Sequence, residues 1–157
     1  MTAVLICAFG IGFVAGLRAM TAPAAVSWAA HLKWLHLDSG AFAFFGYMAT
    51  TAFLTLAAIG EIINDKLPKT GSRTAPGPFT VRVIFGAVCG AALGYAAPGQ
   101  AIPGAVAGAV GAVAGTLGGY HARKNIVAAL KVPDYVIALT EDLIAVGGAF
   151  LIVSRFQ

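Results

Sequence analysis

Five apolar stretches, each close to the length of a membrane-crossing helix, follow one another along the 157-residue chain. They cover residues 2–20, 41–63, 81–97, 102–121 and 135–154. About 20 helical residues at ~1.5 Å each span the ~30 Å hydrocarbon core of a bilayer. A small soluble domain leaves much of its surface in water, so it cannot hide a sequence that is 59% hydrophobic and 10% charged. We therefore predict an all-α polytopic membrane protein, with residues 1–157 as a single helical domain.

The polar residues exclude several other classes of protein. The net charge is +4, but no basic face is interleaved with aromatic residues, so we expect no nucleic acid partner. Cys7 and Cys89 lie inside apolar stretches without metal-ligand spacing and are interpreted as core residues. The sequence contains no hydrolase or zinc-enzyme motif, and its histidines and acids show no three-ligand spacing. We predict neither an enzyme nor a metal or other cofactor.

Lysine and arginine are distributed unequally between the connections. With five crossings, one side carries Lys66, Lys69, Arg73, Arg82, Arg123, Lys124 and Lys131, and the other carries Lys33 and Arg155. The positive-inside rule then predicts a multi-pass protein of the inner (cytoplasmic) membrane, with a cytoplasmic N-terminus and an external C-terminus. The first helix is expected to stay uncleaved, because no positive region precedes it and Arg18 closes its apolar run.

The first apolar region is too long for one crossing, since it continues from Thr2 to about Trp34. Pro23 lacks a backbone donor and clashes with the preceding turn, so the helix is predicted to end or kink near Met20. A broken helix at membrane depth is tolerated only against protein or a water-filled cavity. We interpret residues 22–37 as a re-entrant or interfacial helix.

Two segments of the chain suggest an internal repeat. Residues 12–30, GFVAGLRAMTAPAAVSWAA, are similar to residues 111–129, GAVAGTLGGYHARKNIVAA. In the five-helix scheme the two segments run in opposite directions, as in the inverted repeats of many transporters. Because the matched residues are mostly Gly, Ala and Val, chance similarity is the alternative.

Glycines recur every four residues in several helices. The series are Gly12 and Gly16; Gly86, Gly90 and Gly94; Gly104 and Gly108; and Gly111, Gly115 and Gly119. This spacing places small residues on one helix face and lets helix backbones approach closely in lipid. Either these stripes pack helices within one chain, or one of them forms the seam of a homodimer.

Two acids, Glu61 and Asp65, lie one helical turn apart at the end of the second apolar stretch. Like charges on one face repel unless a cation, a proton or a basic side chain lies between them. The structural interpretation is an ion-pair network at the membrane surface that fixes the helix end. The functional interpretation is a proton or cation site that faces a polar cavity.

Glu141 and Asp142 lie about two turns inside the fifth helix, where an aspartate costs about 2.5–3.5 kcal/mol on insertion scales and usually faces the protein interior. Arg18 either extends to the membrane surface or meets a carboxylate or an anionic substrate as a buried cation. We predict one charged chamber that binds a substrate or ion through Arg18, Glu61, Asp65, Arg82, Glu141 and Asp142. We predict contacts with anionic lipid headgroups for Lys66, Lys69, Arg73, Arg123 and Lys124.

Four short motifs occur in the order GLRAMTAP, GEIINDKLPKTGSRTAPGP, VRVIFGA and KVPDYVIALTEDLIAVGG. In this order they resemble the bacterial membrane family known as domain of unknown function 4126. The matching residues are Gly16 with Arg18; Glu61, Asp65, Lys66 and Pro68; Arg82; and Glu141 with Asp142. The resemblance covers nearly the whole chain and implies an integral membrane protein, without indicating a substrate.

Two kinds of function fit these observations. The first is a small transporter or channel, acting as a dimer, whose buried acids bind or couple a proton or cation and whose arginines meet an anionic solute. The alternative is a non-catalytic binding or assembly protein that recognises anionic lipid or a partner protein through the basic connections.

Overall fold

The computed structural model describes residues 2–65, 74–130 and 133–157, and these contain six α-helices and no strand. The helices are α1 (Thr2–Leu17), α2 (Thr21–His31), α3 (Met48–Asn64), α4 (Pro76–Tyr95), α5 (Ala101–Leu130) and α6 (Asp134–Val153). Short 3-10 turns occupy Ala43–Gly46 and Ser154–Phe156. The all-α fold predicted from the sequence is confirmed.

Within the part of the chain that the structure describes, three segments are long and apolar enough to cross a membrane, judged by length and composition. They are Pro76–Tyr95, Ala101–Ala129 and Asp134–Phe156. Helices α1 and α3 are also apolar but shorter, with 16 and 17 residues. The predicted stretches therefore correspond to α1, α3, α4, α5 and α6, and α2 is an additional helix of 11 residues.

Two helices extend further than predicted. Helix α4 begins at Pro76, where proline suits the first helical position because its missing N–H would have no helical partner. Arg82 consequently lies inside the helix rather than at its start. Helix α5 continues to Leu130, so Arg123 and Lys124 lie on a helix and not on the loop that was predicted.

The predicted break in the first apolar region is present, between the end of α1 at Leu17 and the start of α2 at Thr21. Pro23 lies in the first turn of α2. Every residue from Thr21 to Ala30 is buried except Trp28, which is half-buried. Protein therefore encloses α2 on nearly all sides, which fits a re-entrant segment and not an interfacial helix at the headgroups.

Glycines bring α4 and α5 into backbone contact. A Cβ atom on Gly90 would lie 2.9 Å from the Cα atom of Gly108, and one on Gly94 would lie 2.8 Å from the carbonyl carbon of Gln100. Residue numbers rise along one helix as they fall along the other, so the two helices are antiparallel.

Helix α1 packs against α5 in the parallel direction. A Cβ atom on Gly12 would lie 2.7 Å from the Cα atom of Gly108, and the Thr116 hydroxyl donates to the Gly16 carbonyl at 3.2 Å. An inverted repeat between residues 12–30 and 111–129 requires antiparallel helices, so that prediction is wrong. The reason is α2, which adds one reversal of the chain that the five-helix scheme did not include.

The glycine stripes are thus packing surfaces within one chain. Their glycines face the backbones of α1, α4 and α5 at distances that leave no space for a second molecule. Of the two alternatives, packing within one chain is the one that these contacts support, and a homodimer seam along the same faces is not supported.

Both termini lie at the same end of the bundle, which we call the terminal end. Gly10 of α1 lies beside Ile152 of α6, and Val14 lies beside Gly148, so α1 and α6 are antiparallel. The start of α1 and the end of α6 are therefore neighbours. The prediction that the termini face opposite sides of the membrane is wrong, again because α2 reverses the chain once more.

The irregular chain between α2 and α3 covers part of the terminal end. Leu35, Leu37 and Phe45 are at most 2% exposed, and the Phe42 ring packs on the Tyr95 ring at a centroid distance of 5.5 Å. Because protein covers these residues, the irregular backbone is shielded from lipid.

Large apolar side chains cover much of the outer surface of the bundle. Ile102, Leu143 and Phe53 are 80%, 75% and 70% exposed. Such a surface is unfavourable in water and favourable in a bilayer. Together with the long apolar helices, it identifies lipid as the environment of the protein.

Candidate functional site

All six predicted substrate- or ion-binding residues lie at the end of the bundle opposite the termini, which we call the charged end. Helices α1, α3 and α5 end there, and α2, α4 and α6 begin there. Arg18, Arg82, Glu141 and Asp142 are buried, with at most 9% of each residue exposed. Glu61 and Asp65 are half-buried. The acids and arginines form two clusters, and α3 contributes one carboxylate to each.

Arg18 is the centre of the first cluster and is fully buried. Its Nη1 atom lies 2.8 Å from Oδ2 of Asp65, and its Nη2 atom lies 2.6 Å from Oδ1 of Asp142. A buried guanidinium is tolerated when carboxylates pair with it. Arg18 therefore connects α1 to α3 and α6, and the alternative that it extends to the membrane surface is wrong.

Arg123 is a further member of this cluster. Its Nε and Nη2 atoms donate to Asp134 at 2.8 and 2.5 Å, and its Nη1 atom donates to Asp65 at 3.1 Å. The same Nη1 atom lies 3.7 Å from a carboxylate oxygen of Glu141. Its side chain is only 17% exposed, because these acids surround it. The predicted chamber contains more carboxylates than arginines. This excess is the feature of the sequence that indicates a further basic residue such as Arg123 in the cluster.

Glu61 is the centre of the second cluster and occupies the break between α1 and α2. Its Oε1 atom accepts the Ala19 N–H at 2.9 Å, and its Oε2 atom accepts the Met20 N–H at 2.8 Å. The N–H groups at a helix start lack helical partners and carry a partial positive charge. Nη2 of Arg82 lies 3.4 Å from Oε1. The Glu61 carboxyl group thus accepts two N–H groups at the start of a half-helix, the position that substrate carboxylates take in some transporters.

A cleft of about 500 Å³ opens beside this second cluster, between α3 and α4. It is lined by Ala19, Met20, Ala57, Gly60, Glu61, Asn64, Pro78, Val81 and Arg82. Its volume lies within the usual range for small-molecule sites. An acid, a base and an amide on otherwise apolar walls give the cleft the composition of a site for a small polar solute.

Helix α3 packs mainly on α2 and on the 3-10 turn Ala43–Gly46. Thr51 hydrogen-bonds to Ser27 at 2.9 Å, and Trp28 donates to Thr55 at 3.0 Å. At the charged end, the carboxylates of α3 connect it to α1, α4 and α5. A displacement of α3 relative to α4 therefore requires these ionic contacts to change.

The basic residues predicted to contact lipid headgroups are separated by the fold. Lys66, Lys69 and Arg73 lie outside the described residues. Lys124 is exposed on α5, whereas Arg123 takes part in the first cluster. Among the described residues, Lys124 is thus the predicted headgroup-binding residue that is exposed enough to contact a lipid headgroup.

Neither the curated proteins nor the solved structures include a match to this chain. A family model described as a domain of unknown function matches residues 5–154, which include both clusters of the charged end. The resemblance stated from the sequence motifs is therefore confirmed, and the chain belongs to the family of domain of unknown function 4126.

Proposed function

We propose that the protein is a small membrane transporter whose cleft between α3 and α4 admits an anionic solute. The observation that supports this proposal is the Glu61 carboxylate, which is held by two backbone N–H groups and Arg82 at the cleft wall. A carboxylate on a solute has the same chemistry and would take the same position. In this mechanism the solute replaces Glu61 on the start of α2 and pairs with Arg82.

Replacement of Glu61 is linked to protonation. An ionised carboxylate forms charge-assisted hydrogen bonds to N–H groups and pairs with an arginine, whereas a neutral carboxyl group binds both more weakly. A proton on Glu61 therefore favours its release from Ala19 and Met20. Binding of the anion at this site is then accompanied by binding of a proton to Glu61.

The two ends of the bundle differ in a way that suits alternating access. Leu35, Leu37 and Phe45 are buried in the chain that covers part of the terminal end, whereas the cleft lies at the charged end. Under the positive-inside rule, Arg82 and Arg123 support a cytoplasmic charged end, with both termini outside. In this proposal the protein lies in the inner membrane, and the conformation described here receives solute from the cytoplasm.

Flux measurements in liposomes test this function. The probes are succinate, citrate and inorganic phosphate, with a pH-sensitive dye inside the liposomes to report proton movement. We expect Arg82→Gln to abolish anion flux and Glu61→Gln to uncouple it from proton movement. Asp38→Asn is the control, because Asp38 is exposed in the connection between α2 and α3.

The proposal is contradicted if the wild-type protein moves none of these anions, or if Arg82→Gln and Asp38→Asn give equal flux. Each variant must first elute as a single species in detergent and retain the helical content of the wild type. This control separates a loss of function from a loss of folding.

A second candidate function, recognition of anionic lipid without transport, is favoured by the length of α5. Its 30 residues measure roughly 45 Å, which exceeds the ~30 Å hydrocarbon core. The projecting end carries exposed His121 and Lys124 at the charged end. This function predicts that Lys124→Glu releases phosphatidylglycerol from the purified protein, whereas Glu61→Gln does not.

A further inference from the structure

The cleft between α3 and α4 is open on the outer side of the bundle. Four of the residues that line it are exposed: Gly60, Asn64, Pro78 and Val81. Large apolar side chains stand next to this opening on both helices, and Ile59, Ile63 and Ile84 are 49%, 60% and 53% exposed. Because lipid covers such a surface, the cleft is accessible from within the bilayer as well as from water.

Gly60 lies at the edge between the cleft and the lipid-facing side of α3. With 3.6 residues per turn, Ala57 and Glu61 lie on one side of Gly60 and line the cleft. Leu56 and Ile63 lie on its other side and are exposed. A Cβ atom on Gly60 would meet no heavy atom of the described residues within 4 Å. At this edge the cleft therefore continues into the lipid-facing surface of α3.

The polar and apolar parts of the cleft are arranged like an amphiphile in a bilayer. Helix α3 ends at the charged end, so Glu61 lies near the membrane surface and Ala57 lies one turn, roughly 6 Å, deeper. Leu56 and Phe53 continue the exposed apolar face of α3 in the same direction. A headgroup beside Arg82 would therefore lie near the membrane surface, while an attached chain would run along α3 toward the membrane centre.

We propose that the solute of this cleft is an anionic amphiphile, a long-chain carboxylate that enters sideways from the bilayer between Gly60 and Val81. This inference rests on the proposed function, in which a solute anion replaces Glu61. Glu61 indicates the headgroup, because a single carboxyl group fits both N–H groups at the start of α2 and lies beside Arg82. The opening to lipid indicates the chain. Basic pockets between transmembrane helices also bind anionic lipid headgroups in other proteins.

Photolabelling in phosphatidylcholine nanodiscs, with a hexadecanoate that carries a diazirine in its chain, tests this inference. We expect saturable labelling of α3 and α4 next to Gly60 and Val81, located by mass spectrometry. Unlabelled hexadecanoate should compete for this labelling, whereas hexadecanol should not, because it lacks the anionic headgroup. Arg82→Gln should lower the affinity about tenfold, the effect of losing one hydrogen bond to a charged group.

A variant that closes the opening tests the sideways entry and keeps the headgroup contact. Gly60→Leu should fold, since the new side chain meets open space and leucine favours a helix over glycine. It should lower the affinity for hexadecanoate about tenfold, because the chain then has to displace the leucine side chain. Gly147→Leu is the matched control, because Gly147 is exposed on α6 and a Cβ atom there also meets no heavy atom within 4 Å.

Several outcomes would overturn the inference. Labelling of α3 and α4 that rises without saturation, as expected at the exposed Ile102 of α5, would indicate ordinary contact with lipid. Equal competition by hexadecanol would remove the headgroup contact, and stronger competition by hexadecyl phosphate would contradict the carboxylate. Equal labelling of Gly60→Leu and Gly147→Leu would exclude entry beside Gly60. If Arg82→Gln does not fold, Gly60→Leu and the competition by hexadecanol decide the outcome.

Labelling is measured without flux, so the failure of this inference is distinguishable from the failure of the proposed function. Saturable labelling that depends on Arg82, without flux of succinate, citrate or phosphate, supports the amphiphile site and contradicts the transport proposal. Conversely, anion flux that depends on Arg82, without saturable labelling, supports transport and overturns the sideways entry of a long-chain carboxylate.

Discussion

Replacing Gly108 with alanine is expected to separate α4 from α5 and to destabilise the protein. The added Cβ atom would lie 2.9 Å from the carbonyl carbon of Gly86 and 3.0 Å from the Cα atom of Gly90. These are backbone atoms, so no side-chain rotation relieves the contact. Normal carbon contacts are ~3.5–4.0 Å, so the helices must move apart by about half an ångström or more. Such overpacking lowers the free energy of unfolding by about 1–3 kcal/mol.

Gly118 provides the matched control on the same helix. A Cβ atom there meets no heavy atom within 4 Å, and alanine favours a helix over glycine by about 0.8–1.0 kcal/mol. Gly118→Ala should therefore stabilise the protein slightly, and the two variants should differ by about 2–4 kcal/mol. The free energy of unfolding is measured in mixed micelles by titration with a denaturing detergent, followed by far-UV circular dichroism. Equal effects of the two substitutions would refute the backbone contact between α4 and α5.

Three further results are expected. Arg18→Met should lower the free energy of unfolding by about 3–5 kcal/mol. The double variant Arg18→Met/Asp142→Asn should lose less than the sum of the two single losses, because the two residues form one buried pair. Strictly additive losses in the same titration would contradict this pairing. The hydrogen bond from Lys33 holds the pKa of Asp38 below its usual value, so Lys33→Met should raise that pKa in an NMR titration, and the contact should weaken as the pH falls through it. Reporter proteins fused to either terminus should label the same side of the membrane, and opposite sides would contradict the helix order.

The sequence identified the charged residues but not their pairings. Hydropathy and helical spacing indicated that Glu61 and Asp65 share a face and need basic partners nearby. The partners are Arg82 for Glu61, and Arg18 with Arg123 for Asp65. They come from α4, α5 and the break after α1, and which of them approach α3 depends on packing between segments far apart in the chain. The spacing of apolar and charged residues within one helix gives no information about that packing.

The topology was mispredicted because of one short helix. Residues 21–31 form α2, which measures roughly 16 Å, about half of the hydrocarbon thickness. The sequence predicted a break near Met20 and a re-entrant or interfacial helix over residues 22–37, but the five-helix scheme did not count this segment as a reversal of the chain. Once α2 reverses the chain, every later helix runs opposite to the five-helix scheme. This single omission produced both the inverted repeat and the termini on opposite sides.

The residues that follow the apolar run of α5 explain the length of this helix. The apolar run ends near His121, and the predicted helix was stopped there. The following residues contain no glycine or proline before Leu130 and include strong helix formers, so the helix continues beyond the apolar run. Arg123 was placed on a loop for the same reason, and its position among the acids was missed.

The distance in sequence between Arg18 and Asp142 sets an order for biogenesis. Because synthesis proceeds from the N-terminus, Arg18 leaves the ribosome before α3, and long before Asp142 is made. Until α6 inserts, the guanidinium lacks one of its two counter-charges, and a buried charge without its partner is unfavourable. We therefore expect α1 to stay, until α6 is made, at a position where water or the insertion machinery solvates the Arg18 guanidinium. A chain truncated before α6 retains Asp65 but lacks Asp142 beside Arg18, so it should be less stable in the membrane than the full chain.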